Sequence, residues 1–383
     1  MIKHILLCGP ADPRELFSEH DDLNFPNVSG GIPVNELAKG LISQNIKVTV
    51  VSTSPEIEVP WKFSQGLLSM FIFPQRKRAR DLALTFFRTE RNSMIELISE
   101  MDFDLIHAHW TYEYALAALK QNKPVLITAH DAPFTILWYM RDLYRFFRLL
   151  MAVSVRLQMK NLTVISPYIL LKWRNQMFWR KPTTVIPNIA PFKVNAEFST
   201  RSSSSKVLTI GSDNRIKNIK RLLVSWRHVL EAVPDAELNL VGYGLGQDDW
   251  MRNWAVTRNL DKSVNWHGFV DRETIRKLLL EADVLVHPSL EESFGLTPLE
   301  AMAFGVPVVA GKFSGAIPYI VGQAGLLVDV RLPGQITNAI VQLLENVDLR
   351  HELGSIGKAR IMGEFSSESV TKSYLAEYAR LVS

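Results

Sequence analysis

The stretch most able to do chemistry is His287-Pro-Ser-Leu-Glu-Glu-Ser-Phe-Gly-Leu-Thr-Pro-Leu-Glu-Ala-Met-Ala-Phe-Gly-Val-Pro-Val-Val-Ala310. Within it, Glu292-Ser293-Phe294-Gly295-Leu296 puts a carboxylate before a flexible loop that runs into a helix. There, backbone N–H groups and the helix dipole can meet an anion, and a diphosphate is the natural guest. Further on, Thr297 fits an N-cap, Pro298 the first helical position and Glu300 the third, which is a capping box. From local pattern alone Glu300 is as readily structural as functional. A second set is histidine-rich: Leu105-Ile-His-Ala-His109 and Ile127-Thr-Ala-His-Asp131. His107 and His109 are two apart on a strand and share a face, which invites a metal, but no third ligand is evident and core histidines are commoner. Asp102-Phe-Asp104 mimics an Asp-x-Asp metal clamp but precedes a strand, so it reads as a solvated turn. Ser29-Gly30-Gly31 opens a helix over Pro33–Ser43, a turn that suits either capping or close approach of an anion. Neither G-x-G-x-x-G with its ribose acid nor G-x-x-x-x-G-K-[ST] occurs, which argues against a dinucleotide cofactor and against ATP hydrolysis.

These residues need elements to hold them. Short apolar runs, Ile5–Cys8, Val48–Val51, Met70–Phe73, Leu105–His109, Val125–Thr128, Leu162–Ser166 and Thr184–Ile186, alternate with helical patterns, and so predict a parallel sheet covered on both faces. A polar lapse around Lys193–Lys206, with Ser202-Ser203-Ser204-Ser205, precedes a second series: Val207–Ile210, Leu238–Val241, Val284–His287, Val306–Ala310 and Leu326–Val328. The expectation is an α/β chain of two doubly wound, Rossmann-like domains, 1–190 and 191–365, with a last helix over 366–383 packing back on the first. The carboxyl ends of their strands would face a shared cleft, where ligands of such sheets bind.

At 383 residues, 47% hydrophobic and 21% charged, two cores are expected. The single cysteine, Cys8, lies in a buried-strand pattern, which leaves no disulfide framework or Cys-based metal site. The N-terminus opens on that strand without a cleavable apolar leader, and no run of about 18 apolar residues occurs. The expectation is a cytoplasmic protein. Net charge is +4, yet residues 61–190 carry 18 Lys/Arg against 9 Asp/Glu, or +9, leaving −5 elsewhere. Such a half could meet nucleic acid, an anionic membrane or phosphorylated small molecules. No zinc-finger spacing, ribonucleoprotein aromatics or basic coiled coil is present, so nucleic acid is not an expected partner.

The Glu292/Glu300 pair, seven residues between them, in a Phe-Gly-Leu and Leu-Glu-Ala-Met-Ala context, closely resembles the signature of glycosyltransferase family four. The resemblance implies the GT-B architecture and retaining, metal-independent transfer of a hexose-type sugar from a nucleoside-diphosphate sugar, with no cofactor. It implies that Glu300 holds the ribose hydroxyls and Glu292 the transferred sugar, and that the backbone of Ser293, Phe294, Gly295 and Leu296 lines the sugar–phosphate. Gly211, Gly268, Phe269 and Val270 complete the implied donor side in the C-terminal domain. In the N-terminal, acceptor-side domain the implied residues are Gly30, Gly31, His109 and Asn188, with His130 near the sugar's outer hydroxyls. Family members carry an arginine and, five residues later, a lysine gripping the diphosphate. Here the lysine is Lys217, but Ser212 stands at the arginine position. Arg215, on the same loop, is the expected substitute. Pro187-Asn-Ile-Ala and Tyr319 are smaller departures that bear on substrate detail.

The resemblance further implies that the departing diphosphate helps to deprotonate the acceptor, so that no covalent nucleophile is required and the protein supplies positioning and charge. The segment Phe134–Met151 mixes aromatics with arginines, and Arg76-Lys-Arg-Ala-Arg80 adds a basic cluster. A helix of that composition can lie in an anionic bilayer interface, on the inner face of the cytoplasmic membrane, or pack in a core with snorkelling arginines. The expected acceptor is a glycan or lipid-linked one from bacterial surface-polysaccharide assembly, such as lipopolysaccharide. Rival readings are a catalytically silent sugar-nucleotide-binding scaffold, motivated by Ser212, and a GT-B epimerase or phosphorylase.

Overall fold

The computed structural model describes residues 2–17, 25–26, 28, 30–193 and 205–383. Ser29 and Ser202–Ser204 lie outside the described residues. The chain forms two compact units, residues 1–189 with 367–383, and residues 190–366.

The first unit holds β1 (His4–Cys8), β2 (Lys47–Ser54), β3 (Trp61–Gln65), β4 (Leu68–Pro74), β5 (Leu105–His109), β6 (Val125–Ala129), β7 (Leu162–Val164) and β8 (Thr184–Val185). Their order across the sheet is β3-β4-β2-β1-β5-β6-β7-β8, and every pair is parallel except β3 with β4. Ile5, Leu6, Leu7 and Cys8 are wholly buried. That run of apolar residues is what a central parallel strand covered on both faces requires. The last helix, Ser367–Val382, buries Val370, Thr371, Tyr374 and Tyr378 against this unit. Tyr378 and Tyr374, one turn apart, reach the sheet: Tyr378 Oη lies 2.7 Å from His107 Nδ1, and the Tyr374 ring lies tilted 5.0 Å from the same imidazole.

The second unit holds β9 (Lys206–Ser212), β10 (Glu237–Tyr243), β11 (Val264–Gly268), β12 (Val284–His287), β13 (Val308–Gly311) and β14 (Gly325–Val328), all parallel, in the order β11-β10-β9-β12-β13-β14. Its core packs Leu222, Leu223, Trp226, Leu238, Leu240, Ile336 and Ile340 about that sheet. In each unit the chain order reverses between two central strands, β1 and β5 in one and β9 and β12 in the other. In sheets of this kind, ligands bind beyond the carboxyl ends of the strands at such a reversal.

Several expectations need correction. β3 and β11 were not legible as strands. β3 is an antiparallel edge hairpin whose residues are half-exposed, and β11 alternates polar Asn265 and His267 with buried Trp266. The segment 134–151 is not one helix. It breaks into Pro133–Met140 and Leu143–Gln158, because Arg141 takes φ +49° and Asp142 caps the second helix by accepting from Arg145 N at 2.8 Å. Asp104 is also more than a solvated turn, since its carboxylate accepts from Lys3 N at 2.6 Å and His4 N at 2.9 Å, fixing the start of β1.

Candidate active site

In the second unit the site grows from the loops after β9 and β12. After β9, Asn214 accepts through Oδ1 from Ile216 N and Lys217 N, at 3.0 and 3.2 Å, and folds Arg215–Lys217 into a 3₁₀ turn. Asn214 Nδ2 donates to Ser212 Oγ at 2.8 Å, so the serine at the arginine position is a brace for this turn. Asn218, left-handed at φ +58°, donates from Nδ2 to the carbonyls of Pro288 and Val330, at 3.1 and 2.8 Å. Leu290 N also reaches Ile216 O at 2.8 Å. The two loops are thus stitched together through main-chain groups.

That stitching places Lys217 Nζ 2.5 Å from Glu292 Oε1, and His287 Nε2 3.1 Å from the same oxygen. Glu292 is mostly buried. Burial alone would raise its pKa, but hydrogen bonding and charge from His287 and then Lys217 outweigh it, and the carboxyl is held well below the usual carboxylate range. It is ionised at neutral pH. Ala316 N donates to Glu292 O at 2.9 Å, which holds the backbone of this loop.

The helix that follows spans Leu296–Ala303, with Gly295 at its N-cap at φ +116°. A Cβ there would stand 2.7 Å from Ile317 Cδ1, so both backbone and space demand glycine. The expected capping box does not form. Thr297 and Pro298 are already inside the helix, and Glu300 lies beyond its first turn, buried. Gly295 makes no side-chain cap bond at this helix start, and the first amides of a helix are groups that an anion can satisfy. Phe294 turns its ring inward against Phe365 at 6.3 Å, so it offers the site only its backbone, and Ser293 and Leu296 flank it half-buried. Arg215 is exposed on its turn with no hydrogen bond or ion pair among the described residues. At the end of β11, Gly268, Phe269 and Val270 adjoin β10; Phe269 stacks on Tyr243 at 4.7 Å, and the two rings are 69% and 67% exposed. Gly211 precedes Ser212 at the end of β9, where an added Cβ would only reach van der Waals contact with the Lys217 side chain.

In the first unit, Gly30 and Gly31 take φ +83° and +100°, and Gly31 is the N-cap of the helix Ile32–Ser43. A Cβ on Gly31 would fall 2.6 Å from Ala11 Cα and Pro10 O, so the chain after β1 can pass only because it is glycine. His109 Nδ1 and His130 Nε2 are 2.9 Å apart at the ends of β5 and β6, and Trp110 covers His130 at 4.2 Å. Burial lowers His109 to about 3 and pushes His130 well below the usual histidine range, so both are neutral. His107 is taken up by Tyr378 and by Thr128 Oγ1, at 2.7 Å each. Asn188 is buried just after β8.

With that geometry described, comparison with known proteins decides the family. A family model described as Glycosyltransferase Family 4 matches residues 33–190, and one described as Glycosyl transferases group 1 matches residues 194–360. The chain belongs to the family 4 glycosyltransferases. It is 21% identical over 387 residues to N-acetyl-alpha-D-glucosaminyl L-malate synthase of Bacillus anthracis, covering 92% of this chain and 94% of that protein. Sucrose-phosphate synthase from Thermosynechococcus elongatus is similar in structure at a TM-score of 0.80, with 21% identity and 99% of each chain covered. Anabaena HepE in complex with UDP and glucose follows at 0.69, with 19% identity and 99% and 100% covered. The fold of this family 4 glycosyltransferase is GT-B, and its class is a transferase.

Sequence reasoning gave no role to His287 in this family 4 site. It ends β12 five residues before Glu292, and an imidazole at a strand's carboxyl end ahead of a conspicuous glutamate was the available signal. Trp110 was also passed over, because its left-handed backbone at φ +64° leaves no mark in the residue pattern.

Proposed function

We propose that this glycosyltransferase moves a hexose-type sugar from a nucleoside-diphosphate donor to a glycan or lipid-linked acceptor, with retention at the anomeric carbon and without a divalent cation. The observation that carries the reading is the Lys217–Glu292 pair, braced by His287 beside the open helix start at Leu296. A lysine ammonium has three N–H donors and spends one on Glu292, which leaves two for a diphosphate. Arg215 adds a second cation in place of the one missing at Ser212, and the Phe294–Leu296 amides add dipoles. Together they stabilise charge growing on the leaving group. Glu292, kept ionised, accepts from hydroxyls of the transferred sugar, Glu300 from the ribose, and the Tyr243–Phe269 stack with Gly211, Gly268 and Val270 supports the base. His130, neutral, hydrogen-bonds the sugar without adding charge; Gly30, Gly31, His109 and Asn188 serve the acceptor side. The leaving diphosphate takes the acceptor proton, so no side-chain nucleophile is needed. That HepE is described with UDP and glucose supports a nucleoside-diphosphate donor. The test is turnover of nucleoside-diphosphate sugars in chelator, with the product's anomeric configuration read by NMR. Retained activity and configuration are expected; loss in chelator with recovery in manganese, or inversion, overturns the mechanism.

The reading includes peripheral attachment to an anionic membrane. Among the described residues no helix is long and apolar enough to cross one. Residues 133–190 carry nine Lys/Arg and one Asp/Glu. At the corner between Pro133–Met140 and Leu143–Gln158, Trp138 and Leu143 are 70% and 76% exposed, around a groove of about 470 Å³ that also takes in Phe134 and Phe146. Arg141 lies over the Trp138 ring at 5.0 Å, an arrangement that supports a headgroup contact beside an inserted aromatic. Co-sedimentation with phosphatidylglycerol vesicles, weakened by salt and by Trp138→Ser with Leu143→Ser, is expected; equal binding to phosphatidylcholine vesicles refutes it.

A further inference from the structure

A second polar cavity lies wholly within the first unit, at the carboxyl ends of β1, β2, β4 and β5, on the side of the strand-order reversal where ligands of such sheets bind. It measures about 300 Å³ and is lined by Thr53, Gln75, Trp110, Glu113, Tyr114 and Arg148, among others. We infer that this cavity is an acceptor subsite for an uncharged, hydroxylated sugar ring, laid on the Trp110 indole with its hydroxyls held by Glu113, Gln75 and Arg148. The inference rests on the transferase reading above and names the chemistry of its acceptor.

Three features of the cavity support it. Trp110 is a bulky residue in the left-handed region at φ +64°, an arrangement that persists only where surroundings over-determine it and that clusters at ligand sites. One indole face rests on His130 at 4.2 Å, which fixes the ring as a platform in the cavity wall. The apolar C–H face of a sugar ring suits such a platform, while its hydroxyls need groups able to donate and accept around the edge.

Those edge groups are held in place. Thr53 Oγ1 donates to Gln75 Oε1 at 2.8 Å and lies 2.9 Å from Tyr114 Oη, which orients the amide. Glu113 Oε2 is 3.4 Å from Arg148 Nη1, and that guanidinium is pinned on the Tyr112 ring at 3.7 Å and to Tyr144 Oη at 3.0 Å. A carboxylate and a planar fork set side by side are bidentate partners for neighbouring hydroxyls. They also cancel each other's charge. Behind them Tyr112 donates to Asp131 Oδ1 at 2.9 Å, and Arg91 acts on Glu113 beside Arg148, so two carboxylates stand against two guanidiniums. A phosphate-bearing acceptor would find no surplus positive charge there to offset its desolvation, whereas a neutral ring needs none.

The test is saturation-transfer NMR on the full chain, first alone and then with UDP, GDP or ADP, whichever raises its melting temperature. The probes are methyl α-glucopyranoside, methyl α-mannopyranoside and methyl N-acetylglucosaminide, set against glucose 1-phosphate. Expected is signal from at least one neutral glycoside and none stronger from glucose 1-phosphate. Trp110→Gly removes the platform at a position whose backbone glycine accepts; because Trp110 also packs on the core, the comparison is made below the variant's own melting temperature, where the neutral signal should fall at least fivefold. Glu113→Gln should weaken the neutral glycoside and strengthen glucose 1-phosphate. No glycoside signal, a wild-type preference for the phosphate, or an undiminished signal in Trp110→Gly overturns the inference. If the glycoside binds in this way but no nucleotide does, the subsite stands and the donor reading falls. If nucleotide binding survives while the glycoside arms fail, the reverse holds.

Discussion

Lys217→Met would show whether the Lys217–Glu292 pair is a working electrostatic unit. The pair is mostly buried, with side chains 28% and 16% exposed, and its contact is 2.5 Å. Breaking a wholly buried pair costs about 3–5 kcal/mol, because the surviving charge is stranded. Here partial exposure of the lysine and the remaining hydrogen bond from His287 soften the loss to about 2 kcal/mol. For a unit of this size, about 2–4 °C of melting temperature goes with each kcal/mol, so a drop of roughly 4–8 °C is expected. Lys217→Met with Glu292→Gln should be more stable than Lys217→Met alone, because no charge is stranded, and the cycle should show coupling above about 1 kcal/mol. The pH dependence has a definite sign. Glu292 has its folded pKa depressed below its ordinary 4.5, so the stabilisation is fully present above that value and is lost as pH falls from it toward the folded value. The gap between wild type and Lys217→Met, read by thermal denaturation at pH 7, 5.5 and 4, should be constant over the first two and narrower at the third. Additive single variants, or a gap that widens at pH 4, would refute the reasoning.

Arg215→Ala should leave the melting temperature unchanged, since the side chain is exposed and bonds nothing among the described residues, and should weaken nucleoside-diphosphate binding roughly tenfold, the size of one charge-assisted hydrogen bond. Titration calorimetry giving wild-type affinity would remove Arg215 from the site. Gly31→Ala should destabilise the first unit by more than about 2 kcal/mol, because it combines strain at φ +100° with a Cβ 2.6 Å from Ala11 Cα and Pro10 O; a melting temperature within 1–2 °C of wild type, roughly the assay's spread, would contradict this. His109 has its folded pKa lowered to about 3, so stability is full above the unfolded value near 6.5 and declines as pH falls below it. His109→Gln should flatten the decline between about pH 6.5 and 5, and an unaltered slope would show that His109 does not contribute to it.

The alternation of strand and helix was legible because parallel strands buried on both faces leave short continuous apolar runs, as in Ile5–Cys8 and Val284–His287. Edge strands leave a weaker trace. β3 and β11 have one wet face each, and their polar residues read as loop. The break after Met140 was hidden for a different reason: Arg141 tolerates φ +49°, and Asp142 caps the next helix from within what scans as a single amphipathic stretch. The helix start at Leu296 misled in the other direction, since Thr297-Pro298 is a good opening on local propensity. Gly295, free to take φ +116°, starts the helix two residues earlier.

Local pattern made Glu292 a candidate and the family resemblance made Lys217 one, yet neither could say that the two touch. Their contact depends on β9 and β12 being neighbours, on Asn218 reaching the Pro288 and Val330 carbonyls, and on Leu290 N reaching Ile216 O. None of these is a local property. The pairing also changes the chemistry expected of each residue. A lysine alone would hold a diphosphate in the ground state as tightly as its charge allows. On the proposed function, a lysine tied to an ionised glutamate would present a reduced charge to the incoming donor. Its pull would strengthen relative to that state only as negative charge builds on the departing oxygen, with Glu292 held by His287. An interaction that grows toward the transition state accelerates transfer, whereas one spent equally on the bound donor only tightens binding. Glu292→Gln should therefore tighten nucleoside-diphosphate binding while slowing turnover; weaker binding together with unchanged turnover would show that the glutamate does not temper the lysine.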